Sequence, residues 1–241
     1  MSQQRKIFKA PPKRFQPRGM VFLHEDHDIL VIAKESGLLT VGTDKVRDQT
    51  VFQLLTNYVK KGSSKSPLRV HLVHRLDRDT SGVLILAKTA EEQRHLQDEW
   101  ANFSKTYFAV VRGIPEEKEA TLSSYLAENS AHRVYVTSDR SKGKLAQTRY
   151  RVVKTGAQTS LLEIELLTGR KNQIRVQLAE EGHPVVGDKK YGPAKKDDPD
   201  PPVKAKRLAL HAASLTCTHP FSKEEMTFTA AMPGLFHGFV K

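Results

Sequence analysis

The chain has 241 residues, with 39 Lys and Arg against 27 Asp and Glu, a formal charge of +12, and one cysteine, Cys217. A lone cysteine excludes an intramolecular disulfide framework and a Cys-rich zinc site, and fits a reducing compartment. No apolar run approaches the roughly 18 residues needed to cross a bilayer, so neither a membrane span nor a membrane partner is expected.

Residues 1–19 hold six basic residues and no acid. No apolar stretch follows those charges, so they do not form a secretory signal and read as a mobile basic arm before a domain over residues 20–241. Short β-branched runs then alternate with helical periodicity, as in a mixed domain. Strands are expected at 21–24, 29–33, 69–73, 83–87, 107–112, 133–137, 148–154, 160–167, 209–216 and 226–230. Several follow one another after only a few turn residues, too few for a helical crossover, so most pairings should be antiparallel. The fold class is therefore α+β, with a mixed, mostly antiparallel sheet flanked by helices and loops.

Three helices are expected. Asp48 can cap one running to about Lys60, with Val51, Leu54, Leu55, Tyr58 and Val59 as its apolar stripe. Thr89 with Glu92 three residues later forms a capping box, and Leu96, Trp100 and Phe103 then recur on one side. The third, about Asn172 to Glu181, stops at Gly182, which can adopt the left-handed conformation that ends a helix. It carries Arg175 among apolar neighbours, a residue that either snorkels from a packed surface or serves an anion. The Pro-rich, charged stretch 192–207 should be a loop.

A single-sign excess of this size is most useful to a protein whose partner is an anion. The basic residues cluster in the arm, at 60–69 and at 133–151, as phosphate contacts do. From composition alone an ordinary solvated surface remains the other reading. The most informative stretch is Val73 to Lys88, VHRLDRDTSGVLILAK, where a turn of alternating charge separates two apolar runs. Such a turn is rigidly held yet open to a substrate. Arg75 and Arg78 flank Asp77 and favour its ionised form, as required of a nucleophile or a charge stabiliser. A turn carboxylate merely paired to arginine has the same local pattern.

His74-Arg75-Leu76-Asp77 with Thr80-Ser81-Gly82 resembles the signature of the RluA-type pseudouridine synthases. The resemblance continues through Ser104–Gly113, Thr168–Val176, Gly182–Asp188 with Tyr191-Gly192, and Arg207–Ala212, five motifs in order over about residues 20–232. It implies a pseudouridine synthase fold and an isomerase acting on uridine in ribosomal or transfer RNA, in the cytoplasm, as a monomer and without a cofactor or metal. It further implies Asp77 as the catalytic carboxylate and Arg175 as the group holding that carboxylate charged. Tyr107 would be the face on which uracil stacks, and its hydroxyl could assist removal of the C5 proton. Arg75 would occupy the space vacated by the everted base, and Val186 would be an apolar wall beneath it. Arg75 could instead pair with Asp77 or Asp79.

Three positions depart from the family's common pattern. Lys171 and Asn172 replace Thr-His, and Gln177 stands where a histidine is usual. No S4-like domain precedes the synthase region, so the chain is similar to the short, single-domain members. Rival readings are a metal-dependent hydrolase using His71, His74, His183, His211 or His219, a glycosidase-like pair of Asp77 and Asp79, and a non-catalytic RNA-binding or assembly factor on the same fold. The last would have no need of Asp77.

Overall fold

The computed structural model describes residues 8, 11–42, 48–192 and 205–241. Arg5, Lys6 and Lys9 of the basic arm, and most of the Pro-rich stretch, lie outside the described residues. Two compact units emerge. The first comprises residues 1–103 and 212–231, and the second residues 104–211 and 232–241.

In the first unit the chain enters through a 3-10 turn, Lys13–Phe15, and a hairpin of β1 (Met20–Glu25) and β2 (Ile29–Lys34). Asp26 makes the hairpin turn: its Oδ1 accepts the backbone N–H groups of Asp28 and Ile29, both at 2.8 Å, a local bond that replaces a backbone turn. β2 then pairs antiparallel with β4 (Ser81–Ala87), the strand order being β1-β2-β4-β10, where β10 is Leu210–Thr218. β3 (His71–Leu72) lies against β4, and β11 (Glu225–Thr229) against β10, both antiparallel. All seven residues of β4 are buried, which explains why it reads as an unbroken apolar run rather than an alternating one.

The two helices of this unit have the expected caps with one correction. In α1 (Val51–Val59) the N-cap is Thr50, whose side chain accepts from Gln53 N, and Asp48 stands outside the helix. In α2 (Ala90–Asp98) Thr89 caps the N-terminus through Glu92 N as expected. Its apolar side extends past the helix end: Leu96 and Phe103 are buried with Ile85 and Leu215, and Trp100 packs on the same cluster.

The second unit is an antiparallel sheet of order β5-β9-β8-β6-β7. Its strands are β5 (Ser104–Arg112), β6 (Glu119–Glu128), β7 (Val134–Thr137), β8 (Lys144–Thr155) and β9 (Thr159–Leu166). β6 was not expected from sequence. Its residues EATLSSYLAE include few β-branched side chains, and it is held by its register against β7 and β8 on either side. α3 (Gln173–Glu180) begins at Asn172 in the left-handed region, φ 53°, and closes at Gly182 with φ 78°. A short α4 (Leu235–Phe239), also absent from the sequence reading, seals the core with Phe236.

Candidate functional site

Asp77 and Arg75 belong to the first unit, and Tyr107, Arg175 and Val186 to the second.

The loop carrying Asp77 joins β3 to β4, and most of its anchors are backbone atoms. Lys34, 2% exposed at the end of β2, donates its Nζ to the carbonyls of Glu35 at 2.9 Å, Leu38 at 2.8 Å and Arg78 at 3.0 Å. An ammonium has three N–H donors, enough to serve all three carbonyls, and one of them lies next to Asp77 in sequence. Thr40 Oγ1 donates to the Leu76 carbonyl at 2.7 Å and accepts the Leu76 N–H at 3.3 Å. Ser36 Oγ reaches the Asp79 carbonyl at 2.7 Å, and Gly37 N the Arg78 carbonyl at 2.8 Å. The segment 34–40 therefore grips residues 76, 78 and 79 and leaves the Asp77 side chain half-buried. Within the loop, Thr80 N closes a turn on the Asp77 carbonyl at 3.2 Å. Sequence reasoning missed Lys34, Ser36 and Thr40, whose bonds span 36 to 44 residues apart from two of the lysine's contacts. A lysine ending an apolar strand was the one available hint.

Two further features hold the loop. His74 Nε2 accepts the Ile85 N–H at 3.2 Å, and its ring stacks on Trp100 with centroids 4.3 Å apart. Gly82 has φ +117°, and a Cβ there would lie 2.0 Å from the Ala212 carbonyl oxygen, so only glycine lets β10 approach at this point. Arg75 is exposed and forms no ion pair among the described residues. The alternative of its pairing with Asp77 or Asp79 does not occur there.

In the second unit side chains rather than backbone carry the construction. Arg175 forms a two-pronged ion pair with Asp188, Nε to Oδ2 at 2.7 Å and Nη2 to Oδ1 at 2.9 Å. The Asp188 side chain is wholly buried, and Oδ1 also accepts the Lys190 and Tyr191 N–H groups at 2.8 and 3.0 Å. Burial alone would raise this carboxyl's pKa. The Arg175 hydrogen bonds and charge outweigh it, aided by those backbone donors, and hold the group below the ordinary carboxylate range. A bidentate fork fixes a guanidinium in orientation as well as charge, and this one uses two of its five N–H donors. Arg175 is thus neither snorkelling nor diffusely solvated.

The helix bearing Arg175 is itself anchored. Gln173 and Gln177, 3% and 2% exposed, meet at Thr148 of β8. Gln173 Nε2 donates to Thr148 Oγ1 at 2.9 Å, and that hydroxyl donates to Gln177 Oε1 at 2.7 Å. Gln177 Nε2 continues to Ser124 Oγ at 2.9 Å and the Ala146 carbonyl at 3.0 Å. Gln177, one of the three departures from the family pattern, is therefore a satisfied buried network residue that ties α3 to β6 and β8.

Tyr107 is half-buried on β5 opposite Ile164 of β9 and packs on the unit's main core. Val186 is 1% exposed, with its N–H on the Val110 carbonyl and its carbonyl accepting Ala209 N, both at 2.8 Å. Two more of the histidines weighed as metal ligands have hydrogen-bond partners. His183 Nδ1 meets the Arg112 carbonyl at 2.9 Å. His219 Nε2 meets Asp26 at 3.0 Å, while its Nδ1 accepts Phe221 N and Ser222 N.

These features define a two-unit, mostly antiparallel α+β protein with a rigid acidic turn in one unit and a clamped arginine in the other. The chain belongs to the RNA pseudouridylate synthase family, whose pattern it matches over residues 28–180. It is 34% identical over 220 residues to the dual-specificity RNA pseudouridine synthase RluA of Escherichia coli strain K12, covering 89% of this chain and 94% of that protein. Identity to the ribosomal large subunit pseudouridine synthase D of Nitrosomonas europaea is 35% over 88% of this chain but 61% of the relative. The chain likewise spans 65% of synthase C of Vibrio vulnificus, less than two thirds of either length. Among solved structures, human RNA pseudouridylate synthase domain containing 4 shares the fold, with TM-score 0.73 and 23% identity over 93% of this chain and 92% of that one. For domain containing 1 the values are 0.70 and 26%, over 92% and 86%.

Proposed function

We propose that this protein isomerises uridine to pseudouridine within RNA, with Asp77 as the reacting carboxylate. The observation that carries this reading is the Asp77 turn: a family-motif aspartate presented half-buried from a loop whose main chain is fastened by Lys34, Ser36 and Thr40. Catalytic groups need support of this kind, because a small displacement of the reacting atom costs rate steeply.

In the reaction the N1–C1′ bond breaks, the uracil rotates while held, C5 bonds to C1′, and the proton lost from C5 is balanced by one gained at N1. Nothing is oxidised and no group leaves, so the chain need supply only a carboxylate, a stacking surface and electrostatic support. Asp77 acts at the sugar, either as nucleophile at C1′ or as base for the 2′ proton, and both roles require the anion. Arg175, already oriented by Asp188, is the counter-cation for that chemistry. Tyr107 is the stacking face, with a hydroxyl suited to proton transfer at C5. Arg75, exposed and unengaged by carboxylates among the described residues, fills the stack left by the everted base, a role a planar guanidinium suits. Val186 bounds the base on its apolar side.

The substrate is ribosomal or transfer RNA. The names of the ribosomal large-subunit relatives support the former, and the dual-specificity relative keeps the latter in view. A net charge of +12 supports an RNA partner. A monomer in the cytoplasm completes the reading, and no helix among the described residues is long and apolar enough to cross a membrane.

The test is Asp77→Asn assayed for pseudouridine by chemical labelling and for RNA affinity. Pseudouridine formation should fall by at least about a thousandfold with affinity within a few fold of wild type. A variant that isomerises uridine at the wild-type rate would remove Asp77 from the chemistry. A wild-type protein that binds RNA yet forms no pseudouridine in it would favour the non-catalytic binding factor.

A further inference from the structure

In the second unit β7 and β8 lie on either side of β6 and pair with it, not with each other, so residues 138–143 must cross β6. They do so at Tyr125, which stands between Thr137 of β7 and Leu145 of β8. A Cβ on Gly143 would lie 2.7 Å from the Tyr125 Cβ and 2.8 Å from Thr137 Cγ2, so the crossover passes this closely only because a glycine is there. Asp139 closes its tip. The Asp139 carbonyl accepts the N–H groups of Lys142 and Gly143 at 3.2 and 3.1 Å, and its carboxylate accepts the Ser141 N–H and hydroxyl and pairs with Lys142 at 3.0 Å. Asp139 is the single acid between Val134 and Thr148, and it is committed within its own turn.

Three other cations stand about this crossover. Arg140 Cζ lies 5.4 Å from the centroid of the Tyr125 ring, whose negative face attracts a guanidinium. Arg170 Nε donates to the Leu145 carbonyl at 3.0 Å, past the last pairing of β8 with β9 at Thr148 and Leu166. Lys144 opens β8. All three are exposed and form no ion pair among the described residues, and Leu145, 38% exposed, sets an apolar surface among them. Further along the same strand the charges are matched. Arg149 and Arg151, which by strand alternation share the face of Leu145, each meet a glutamate of β9, Glu165 at 2.9 Å and Glu163 at 3.0 Å. One strand thus carries neutralised arginines along its middle and, at its start, cations gathered around an aromatic ring with no carboxylate to balance them. A field of one sign held together in this way suits a partner with successive negative charges.

We propose that Arg140, Lys144 and Arg170, set about the Tyr125–Leu145 pair, form a docking surface for consecutive phosphodiesters of the RNA strand outside the nucleotide that reacts. Cations beside exposed aromatic and apolar side chains are what a single strand requires, the cations for its phosphates and the apolar surface for its sugars and base faces. Arg170 also belongs to the turn that opens α3: its carbonyl accepts the Gln173 N–H at 3.2 Å, and its own N–H donates to Gln173 Oε1 at 2.9 Å. The surface is therefore tied to the helix that carries Arg175, and it fixes the path of the strand relative to that arginine. Phosphate contacts position a strand and carry no base information, so these residues govern affinity and salt dependence across sequences, not the choice of uridine. The docking surface rests on the RNA-modifying function proposed above.

The test uses the full-length protein and a fluorescein-labelled, uridine-rich single-stranded RNA of about twenty nucleotides, titrated at several KCl concentrations, with pseudouridine formation in cellular RNA measured separately. Arg140→Gln/Lys144→Gln, which leaves Arg170 in place to serve the Leu145 carbonyl, should weaken binding about tenfold at moderate salt. It should also make the slope of log K against log [KCl] shallower by about 1.4, some 0.7 for each phosphate that is no longer neutralised. Arg149→Gln/Arg151→Gln, which removes the same formal charge from the same strand, should leave that slope within about 0.3 of wild type. The charge-preserving swap Arg140→Lys/Lys144→Arg should retain the wild-type slope, guarding against loss of fold in the glutamine variant. An unchanged slope in Arg140→Gln/Lys144→Gln, or an equal fall in Arg149→Gln/Arg151→Gln, overturns the docking surface. If wild-type protein forms pseudouridine but the slope ignores Arg140 and Lys144, the docking surface alone fails. If the slope depends on them but no pseudouridine forms, the docking surface stands and the isomerase reading falls.

Discussion

The loop of Asp77 and the surroundings of Arg175 solve the same problem with different materials. Around Asp77 most of the fastening bonds end on main-chain carbonyls, with Lys34 and Thr40 as the clasps. Around Arg175 the fastening is by charged and amide side chains, in the Asp188 fork and in the Gln173–Thr148–Gln177 chain. Around Asp77 the one charged clasp, Lys34, spends its donors on main-chain carbonyls. An arginine that must keep its orientation gains from a buried anion that holds two of its donors. The difference teaches that the first region should respond to changes in backbone fit and the second to changes in charge and pH.

The largest expected effect tests the backbone side of that contrast. Gly82→Ala would put a methyl group against the Ala212 carbonyl at the start of β4, and main chain cannot yield as a side chain can. A loss of about 4 kcal/mol or more in denaturant unfolding is expected. A loss under about 1 kcal/mol would show that β10 can move away from the loop.

Next is Asp188→Asn, expected to cost about 3 kcal/mol because it leaves a mostly buried guanidinium without its anion. The pH dependence follows from the same carboxylate. Its folded pKa lies below the unfolded value of about 3.9, so its contribution is complete at neutral pH and is lost as pH falls below about 4. Asp26, also held below its usual range, against its burial, by His24, the Ile29 N–H and His219, adds to this acid sensitivity from the first unit. Urea unfolding at pH 7 and pH 3 should show a smaller acid loss in Asp188→Asn than in wild type. Equal losses would mean that the fork does not dominate.

Lys34→Met should cost less, about 2 kcal/mol, since the orphaned carbonyls can recruit water. It should lower the maximal rate of pseudouridine formation more than RNA affinity. A change in affinity alone would separate Lys34 from the Asp77 loop. The smallest effect concerns Cys217, whose thiol burial pushes up to about 11. Native protein should react with a thiol reagent at neutral pH only at its opening rate, far more slowly than denatured chain, and fast labelling would show that the first unit's core opens readily.

Much of this architecture was legible because its signals are local. Thr89 and Gly182 mark helix ends through bonds and dihedrals set within a few residues. The apolar run after Asp77 could only be a buried strand. The contribution of Thr50 rather than Asp48 at the first helix was less visible, since both residue types can cap and only the register of the first turn decides. β6 was missed because alanine and serine in a strand take their conformation from partners on both sides rather than from propensity. Within the candidate site, the Asp77 turn announced itself by charge alternation between apolar runs. The Arg175–Asp188 pair did not, because its members lie thirteen residues apart on a helix and a loop. Neither did Lys34, whose role depends on carbonyls brought close only by tertiary folding. Gln177 was visible only as a departure from the family pattern, and its partners on β6 and β8 are set by tertiary folding.

The first unit is completed only after the chain has finished most of the second, when residues 212–231 return to supply most of β10 and all of β11. No single cut in the polypeptide can therefore release it whole. A fragment ending at Phe103 would bare the long edge of β4, seven residues that are otherwise sealed, and such an unpaired apolar edge invites aggregation. During synthesis the Asp77 turn must wait for residues 212–231 before its supporting strand is in place, so a chain cut before residue 212 would contain Asp77 but lack part of its frame.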